Sequence, residues 1–183
     1  MVKTKPEQLG PEPDPFVVNV LGELSSVSFP YGEMLDVGCG DGRNAAYAAQ
    51  LGWTVTGVDP VFRLSEHTQK SIRFVEGSLP QLPFEDGTFN LVVCTSVLPI
   101  LDIATRKKSI LEIMRIARSG GAVALNCIVR EDDTNRGGFW NYESLRLPFD
   151  TAKWDVRAVP EPIKRLGTDS IIRSLHTVLA FKP

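Results

Sequence analysis

Met34-Leu35-Asp36-Val37-Gly38-Cys39-Gly40-Asp41-Gly42-Arg43-Asn44 is the stretch on which the reading of this chain turns. A short apolar run, Met34 to Val37, is interrupted by glycines at alternate positions and passes into the alanine-rich segment Arg43 to Leu51, which stops at Gly52. This pattern predicts a strand handing over to a helix through a sharp turn, because glycine has no Cβ and lets both the chain and a ligand come close. Open α/β sheets bind their ligands at such handovers, beyond the carboxyl ends of the strands. A dinucleotide fingerprint, G-x-G-x-x-G, counted from Gly38 requires glycine where Arg43 stands. The spacing here is G-x-G-x-G with an acid, Asp36, two residues ahead of it. That combination suits a ligand without a pyrophosphate and argues against a nicotinamide dehydrogenase.

Downstream, Trp53 to Val58 is rich in β-formers and ends at Asp59-Pro60. Asp59 lies 17 residues beyond Gly42, at the carboxyl end of the second strand. A carboxylate there accepts hydrogen bonds from vicinal ribose hydroxyls; the alternative is a turn or cap aspartate before proline. The alternation continues with a helix near Phe62–Gln69, a strand at Ile72–Val75, a strand at Asn90–Cys94, and a helix capped by Asp102. That helix carries Ile110, Leu111, Met114 and Ala117 on one face and is expected to end at Ser119-Gly120-Gly121. A fifth strand spans Ala122–Val129, and two more are expected at Trp154–Val159 and Ser174–Phe181. Phe16, Val17, Val20, Leu21 and Leu24 recur at helical spacing before the first strand. Strands alternating with helices predict an α/β, doubly wound, mostly parallel sheet of seven strands with helices on both faces.

The 183 residues suit one domain: residues 16–183, after a proline-punctuated lead-in at 1–15 that is expected to be flexible. Apolar residues make up 43% and the net charge is −2, so binding to nucleic acid through bulk charge is not expected. Cys39, Cys94 and Cys127 are scattered, and His67 and His176 are the only histidines. Neither a zinc site nor a disulfide framework is encoded. The lead-in has no apolar core of a signal peptide, and no stretch approaches the roughly 20 apolar residues that cross a bilayer. The expected compartment is the reducing cytosol.

Met34 to Gly42 together with Asp59 resembles the class I S-adenosylmethionine-dependent methyltransferases. Gly42-Arg43-Asn44 with Tyr47, Leu51-Gly52, Val55 and Val58-Asp59 is more specifically similar to the tellurite-resistance methyltransferase subgroup. Phe74 to Gly77, Leu82-Pro83-Phe84, Gly87 to Asn90, and Leu111-Glu112 through Arg115 before Gly120-Gly121 extend the resemblance over residues 34–130. It implies a Rossmann-like sheet with an antiparallel last strand, and S-adenosylmethionine as methyl donor, spent as S-adenosylhomocysteine. It also implies a cofactor site. Asp36 would approach the ammonium of the methionine moiety, directly or through water, while Gly38, Cys39 and Gly40 would lie along the cofactor. Asp59 would hold the ribose, Ser78 and Leu79 would lie beside the adenine, and Thr95 near the methionine part. Ser78 replaces the aspartate common in relatives, Pro99 a histidine or aromatic, and Ser119 a proline.

Transfer of a methyl group from a sulfonium needs positioning and exclusion of water more than a base, so the lack of an obvious catalytic base does not argue against it. The chain has little beyond its core sheet, which favours a small-molecule acceptor, with residues 1–30 as the expected lid. The competing reading is a non-catalytic S-adenosylmethionine-binding module, regulatory or scaffolding. Substrate-side candidates are weaker. Arg43 is read as a surface residue or an anion attractor, His176 as a sheet histidine, His67 as solvated, and Cys94 and Cys127 as buried thiols. Asp132-Asp133 suits a solvated turn, a cationic acceptor or a metal ion, and Phe139, Trp140 and Tyr142 either wall the acceptor cavity or staple a loop. Lys153, Arg157, Lys164, Arg165 and Arg173 form no single stripe and read as a solvated face.

Overall fold

The computed structural model describes residues 12–64, 66–130, 142–157 and 173–183. Asp132-Asp133, Phe139, Trp140, Lys164 and Arg165 lie outside the described residues, as do the side chains of His67, Tyr142, Arg173 and His176. Seven strands form one sheet in the order β3-β2-β1-β4-β5-β7-β6. They are β1 (Glu33–Val37), β2 (Thr54–Asp59), β3 (Arg73–Glu76), β4 (Phe89–Thr95), β5 (Ala117–Arg130), β6 (Asp155–Arg157) and β7 (Arg173–Phe181). Strands β3, β2, β1, β4 and β5 are mutually parallel, and β7 runs antiparallel to both of its neighbours, β5 and β6. The strand order reverses at β1, which places the ligand crevice of a doubly wound sheet at its carboxyl end.

Helices cover both faces. On one side α1 (Pro15–Ser26) and α2 (Arg43–Gln50) bury Phe16, Val17, Val20, Leu21, Leu24, Ala45 and Ala48 against Met34, Val55, Leu91 and Val93. On the other, α4 (Ile103–Ile116) and α5 (Tyr142–Thr151) pack Ile110, Ile113, Leu145 and Phe149 against Leu35, Val92, Val123 and Val178. The period of two along each strand sorts the side chains between these layers. Helix α1 begins inside the expected lead-in: Asp14 caps it, accepting a bond from the Phe16 amide, and Pro15 takes the first helical position, where its missing N–H costs nothing.

Three expectations are corrected. The helix near Phe62–Gln69 is reduced to α3, Glu66–Gln69. The face of α4 is Ile110, Ile113 and Met114, whereas Leu111 is 50% exposed, because i+1 points away from the stripe that i+3 and i+4 share. Ser119-Gly120-Gly121 does not end α4; that helix stops at Ile116, and the glycines lie within β5. They serve a bulge, since the β4–β5 register shifts between Phe89, which faces Ala117, and Leu91, which faces Ala122. A Cβ at Gly121 would come within 2.8 Å of the Arg118 carbonyl and 2.9 Å of the Asn90 carbonyl, so only glycine fits.

Asn90, buried in β4, reaches across to β1: its Oδ1 accepts the Glu33 amide at 3.0 Å. The preceding Gly32 leaves room for it, for a Cβ there would sit 2.4 Å from the same oxygen. The bond sets where β1 starts against β4. Asn90→Ala orphans the Glu33 amide, and urea unfolding is expected to register a loss of about 1–3 kcal/mol; an unchanged midpoint would remove Asn90 from this role.

Candidate cofactor site

The glycine loop is drawn over the end of β2 by main-chain bonds. Gly38 and Cys39 both donate to the Val58 carbonyl, at 2.7 and 3.2 Å, and Gly42 closes a turn onto the Cys39 carbonyl at 2.8 Å. Gly38 has φ +72°, and a Cβ on it would lie 2.3 Å from Val97 Cγ2, so the residue is confined to glycine by both conformation and space. Gly40, in contrast, has nothing within 4 Å of its Cβ position: that side of the loop is open.

A cavity of about 340 Å³ opens there, the size of a small-ligand site. Gly38, Gly40, Asp59, Ser78, Leu79 and Thr95 line it, six of the eight expected site residues. Val97, Ile100 and Leu101, which follow β4, supply an apolar wall, with Ile100 80% exposed at the rim. Asp59 makes the turn bond of the alternative reading and also holds the glycine loop. Its Oδ1 accepts the Val61 amide at 3.0 Å, the turn bond, and its Oδ2 accepts the Gly40 amide at 3.1 Å. Each carboxylate oxygen retains a lone pair that can face the cavity.

The other two expected residues do not line the cavity. Cys39 packs its sulfur beside Gly57, and burial with the nearby charges of Asp36 and Asp59 pushes its thiol up to about 12, so it is inert. Asp36 lies beneath the loop, wholly buried, and neither oxygen makes a hydrogen bond of full geometry, the Ala45 amide being its one near donor among the described residues. Desolvation raises its pKa to about 7. The Ala45 amide and the charge of Arg43 oppose the rise, while the charges of Asp41 and Asp59 add to it. Arg43 itself is exposed, so its charge acts on Asp36 from the surface. Cys94 is buried away from the lining, and its thiol is raised by burial.

The floor is braced from α4. Glu112 Oε1 accepts the amide of Leu82, a lining residue, at 2.8 Å, while Arg115 binds Glu112 and reaches Asp86. These bonds hold Glu112 well below the usual carboxylate range, the Arg115 side chain first among the causes. Sequence reasoning passed over Arg63 and the Ser96-Val97 corner. Arg63 lines the cavity. Ser96, at φ +58°, donates its amide to Asn126 Oδ1 at 2.8 Å. The available signal was Asn126 itself, a lone amide in the otherwise apolar run from Ala122 to Val129. Asn44 was noted only as part of the glycine motif, yet it is buried and bonded on both sides.

Comparison with known proteins is consistent with this geometry. A family model described as a methyltransferase domain matches residues 35–125. An uncharacterised methyltransferase, sll0829 from Synechocystis, is 31% identical over 99 residues, which are 52% of this chain and 47% of that protein. The chain matches less than half the length of the curated relatives. Among solved structures, magnesium protoporphyrin IX methyltransferase from Synechocystis PCC 6803, crystallised with S-adenosylhomocysteine, superposes with a TM-score of 0.69 at 17% identity, over 91% of this chain and 82% of that one. A TehB-like methyltransferase from Corynebacterium glutamicum superposes with a TM-score of 0.62 at 20% identity, over 92% and 88%. These likenesses share a fold without singling out a subgroup. On the family match and the sheet topology together, the chain belongs to the class I, Rossmann-like, S-adenosylmethionine-dependent methyltransferases.

Proposed function

We propose that this protein binds S-adenosylmethionine in the cavity at the ends of β1, β2 and β4 and transfers its methyl group to a small-molecule acceptor. The observation that carries the reading is Asp36, a fully buried carboxyl group under the glycine loop with neither oxygen in a hydrogen bond of full geometry. A buried polar group without a partner is costly, and a ligand ammonium is the partner a carboxylate seeks. The open side of Gly40 and the free lone pairs of Asp59 extend the fit to a ribose. S-adenosylmethionine, when bound, supplies a methyl group on a sulfonium, already a good leaving arrangement.

What this chain adds is placement. Asp59 would hold vicinal hydroxyls and Asp36 would neutralise the ammonium. Ser78 and Leu79 would flank the base, and Val97, Ile100 and Leu101 would keep water from the reacting end. Among the described lining residues there is no histidine, cysteine or lysine, so the fitting acceptors are those already nucleophilic, such as a thiolate or another soft or ionised atom. The cavity's dimensions and its apolar rim favour a small acceptor. Placement in the cytosol and membership of the tellurite-resistance subgroup belong to the same proposal. A non-catalytic binding module is the competing reading. Turnover of methyl-labelled cofactor against a panel of thiol, chalcogen oxyanion and carboxylate acceptors decides between them: labelled product supports transfer, and binding without product from any acceptor favours the module.

Two binding measurements probe the site. Asp59→Ala is expected to weaken S-adenosylhomocysteine on the order of ten- to a hundredfold or more by calorimetry, the loss of charge-assisted bonds; unchanged affinity would take Asp59 out of the site. With its pKa near 7, Asp36 carries a proton at pH 6, and a cation placed beside it drives that proton off. Binding of S-adenosylhomocysteine at pH 6, measured in buffers of different ionisation enthalpy, should release close to one proton, and Asp36→Asn should abolish the release. A binding enthalpy independent of buffer in the unsubstituted protein counts against an ammonium at Asp36.

A further inference from the structure

Asn44, the second residue of α2, is 6% exposed, and the orientation of its side-chain amide is set by its neighbours. The backbone N–H of Asp14 can only donate, and it does so to Asn44 Oδ1 at 2.8 Å. The NH₂ of Asn44 therefore faces the other way, where it donates to Thr95 Oγ1 at 3.3 Å. A threonine oxygen that accepts a hydrogen bond in this way still has its own O–H to give. Among the described residues no acceptor takes it, and Thr95 lines the cavity. Register locates that donor. Asp36 pairs with Val93 on β4, so Thr95 stands two residues further along the neighbouring strand, on the same face and about 7 Å beyond. A group that calls for a cation and a group that offers a hydrogen bond thus share one face of the sheet, the pair that the ammonium and carboxylate of an α-amino acid require.

We propose that Asn44 is a positioning residue: anchored by the start of α1, it commits the Thr95 hydroxyl to donating into the cavity, where that hydroxyl takes the carboxylate of the ligand's amino-acid end. The proposal rests on the cofactor reading above and adds a specific device to it. Helix α1, through Asp14, becomes part of the site without touching the ligand.

The test compares S-adenosylhomocysteine with 5′-methylthioadenosine, which keeps the nucleoside and sulfur and lacks the amino acid, by calorimetry on the full chain. Thr95→Val should weaken S-adenosylhomocysteine about ten- to a hundredfold, the loss of a hydrogen bond to a charged group, and leave methylthioadenosine unchanged. Thr95→Ser should restore the affinity. Asn44→Asp keeps an acceptor for the Asp14 amide but turns an acceptor toward Thr95 and draws its proton away. It should produce the same selective loss and add little on top of Thr95→Val. Asn44→Ala, which frees the hydroxyl and also takes the acceptor from the Asp14 amide, should give a smaller loss with the same selectivity, and it serves if the aspartate variant does not fold. Equal weakening of both ligands by the Asn44 variants, or no discrimination by Thr95→Val, overturns the proposal while leaving the cofactor reading in place. Failure of the unsubstituted protein to bind either ligand overturns both.

Discussion

The bond from the Gly40 amide to the Asp59 carboxylate connects everything that matters at this site. A loop of glycines has little conformational preference of its own, and its shape must come from what holds it. Here the holding is done at the end of β2, by the Val58 carbonyl for Gly38 and Cys39 and by Asp59 for Gly40. The loop is thereby clamped on the strand beside it, and the helix that follows starts in a fixed direction. The same carboxylate is a wall of the cavity, so ligand recognition and loop geometry share one side chain. Removing it would disturb both, which is why a variant there reports on the site as a whole.

Much of this was legible in the sequence for a physical reason. Glycine at a position with positive φ, proline at a helix start and an acid at a strand end are local devices, and local devices leave local marks. Gly38, Gly40 and Asp59 could be placed because each acts within a few residues of the strand that carries it. Seven strands could be counted because their apolar runs are bounded by turn residues. The helix near Phe62 was over-extended, and Ser119-Gly120-Gly121 was mistaken for a helix end, because a bulge and a stop use the same residue. Only the partner strand distinguishes them, and Gly121 is confined by carbonyls from β4.

What escaped the sequence was long-range. The Asn44 amide bridges residue 14 to residue 95, and nothing near position 44 announces either partner. Glu112, whose motif was recognised, turned out to brace the cavity floor through the Leu82 amide, thirty residues away in the chain. Asp36 is expected to approach a ligand, directly or through water. Its burial beneath the loop, rather than in the lining, comes from the alternation of β1, which turns position 36 toward α1 and α2. The sheet thus delivers one acid to the wall and another beneath the glycines.

The exposed ledge at Ile100 has a further consequence for selectivity. A surface that recognises by covering hydrocarbon cannot weigh partners finely: one methylene more or less is worth only about 1–3 kcal/mol, whereas an unmatched polar contact rejects far more sharply. A mouth built from valine, isoleucine and leucine would therefore grade homologous acceptors gently and admit a series of them. Tolerance of that kind would be a property of the wall's chemistry rather than a defect in its fit.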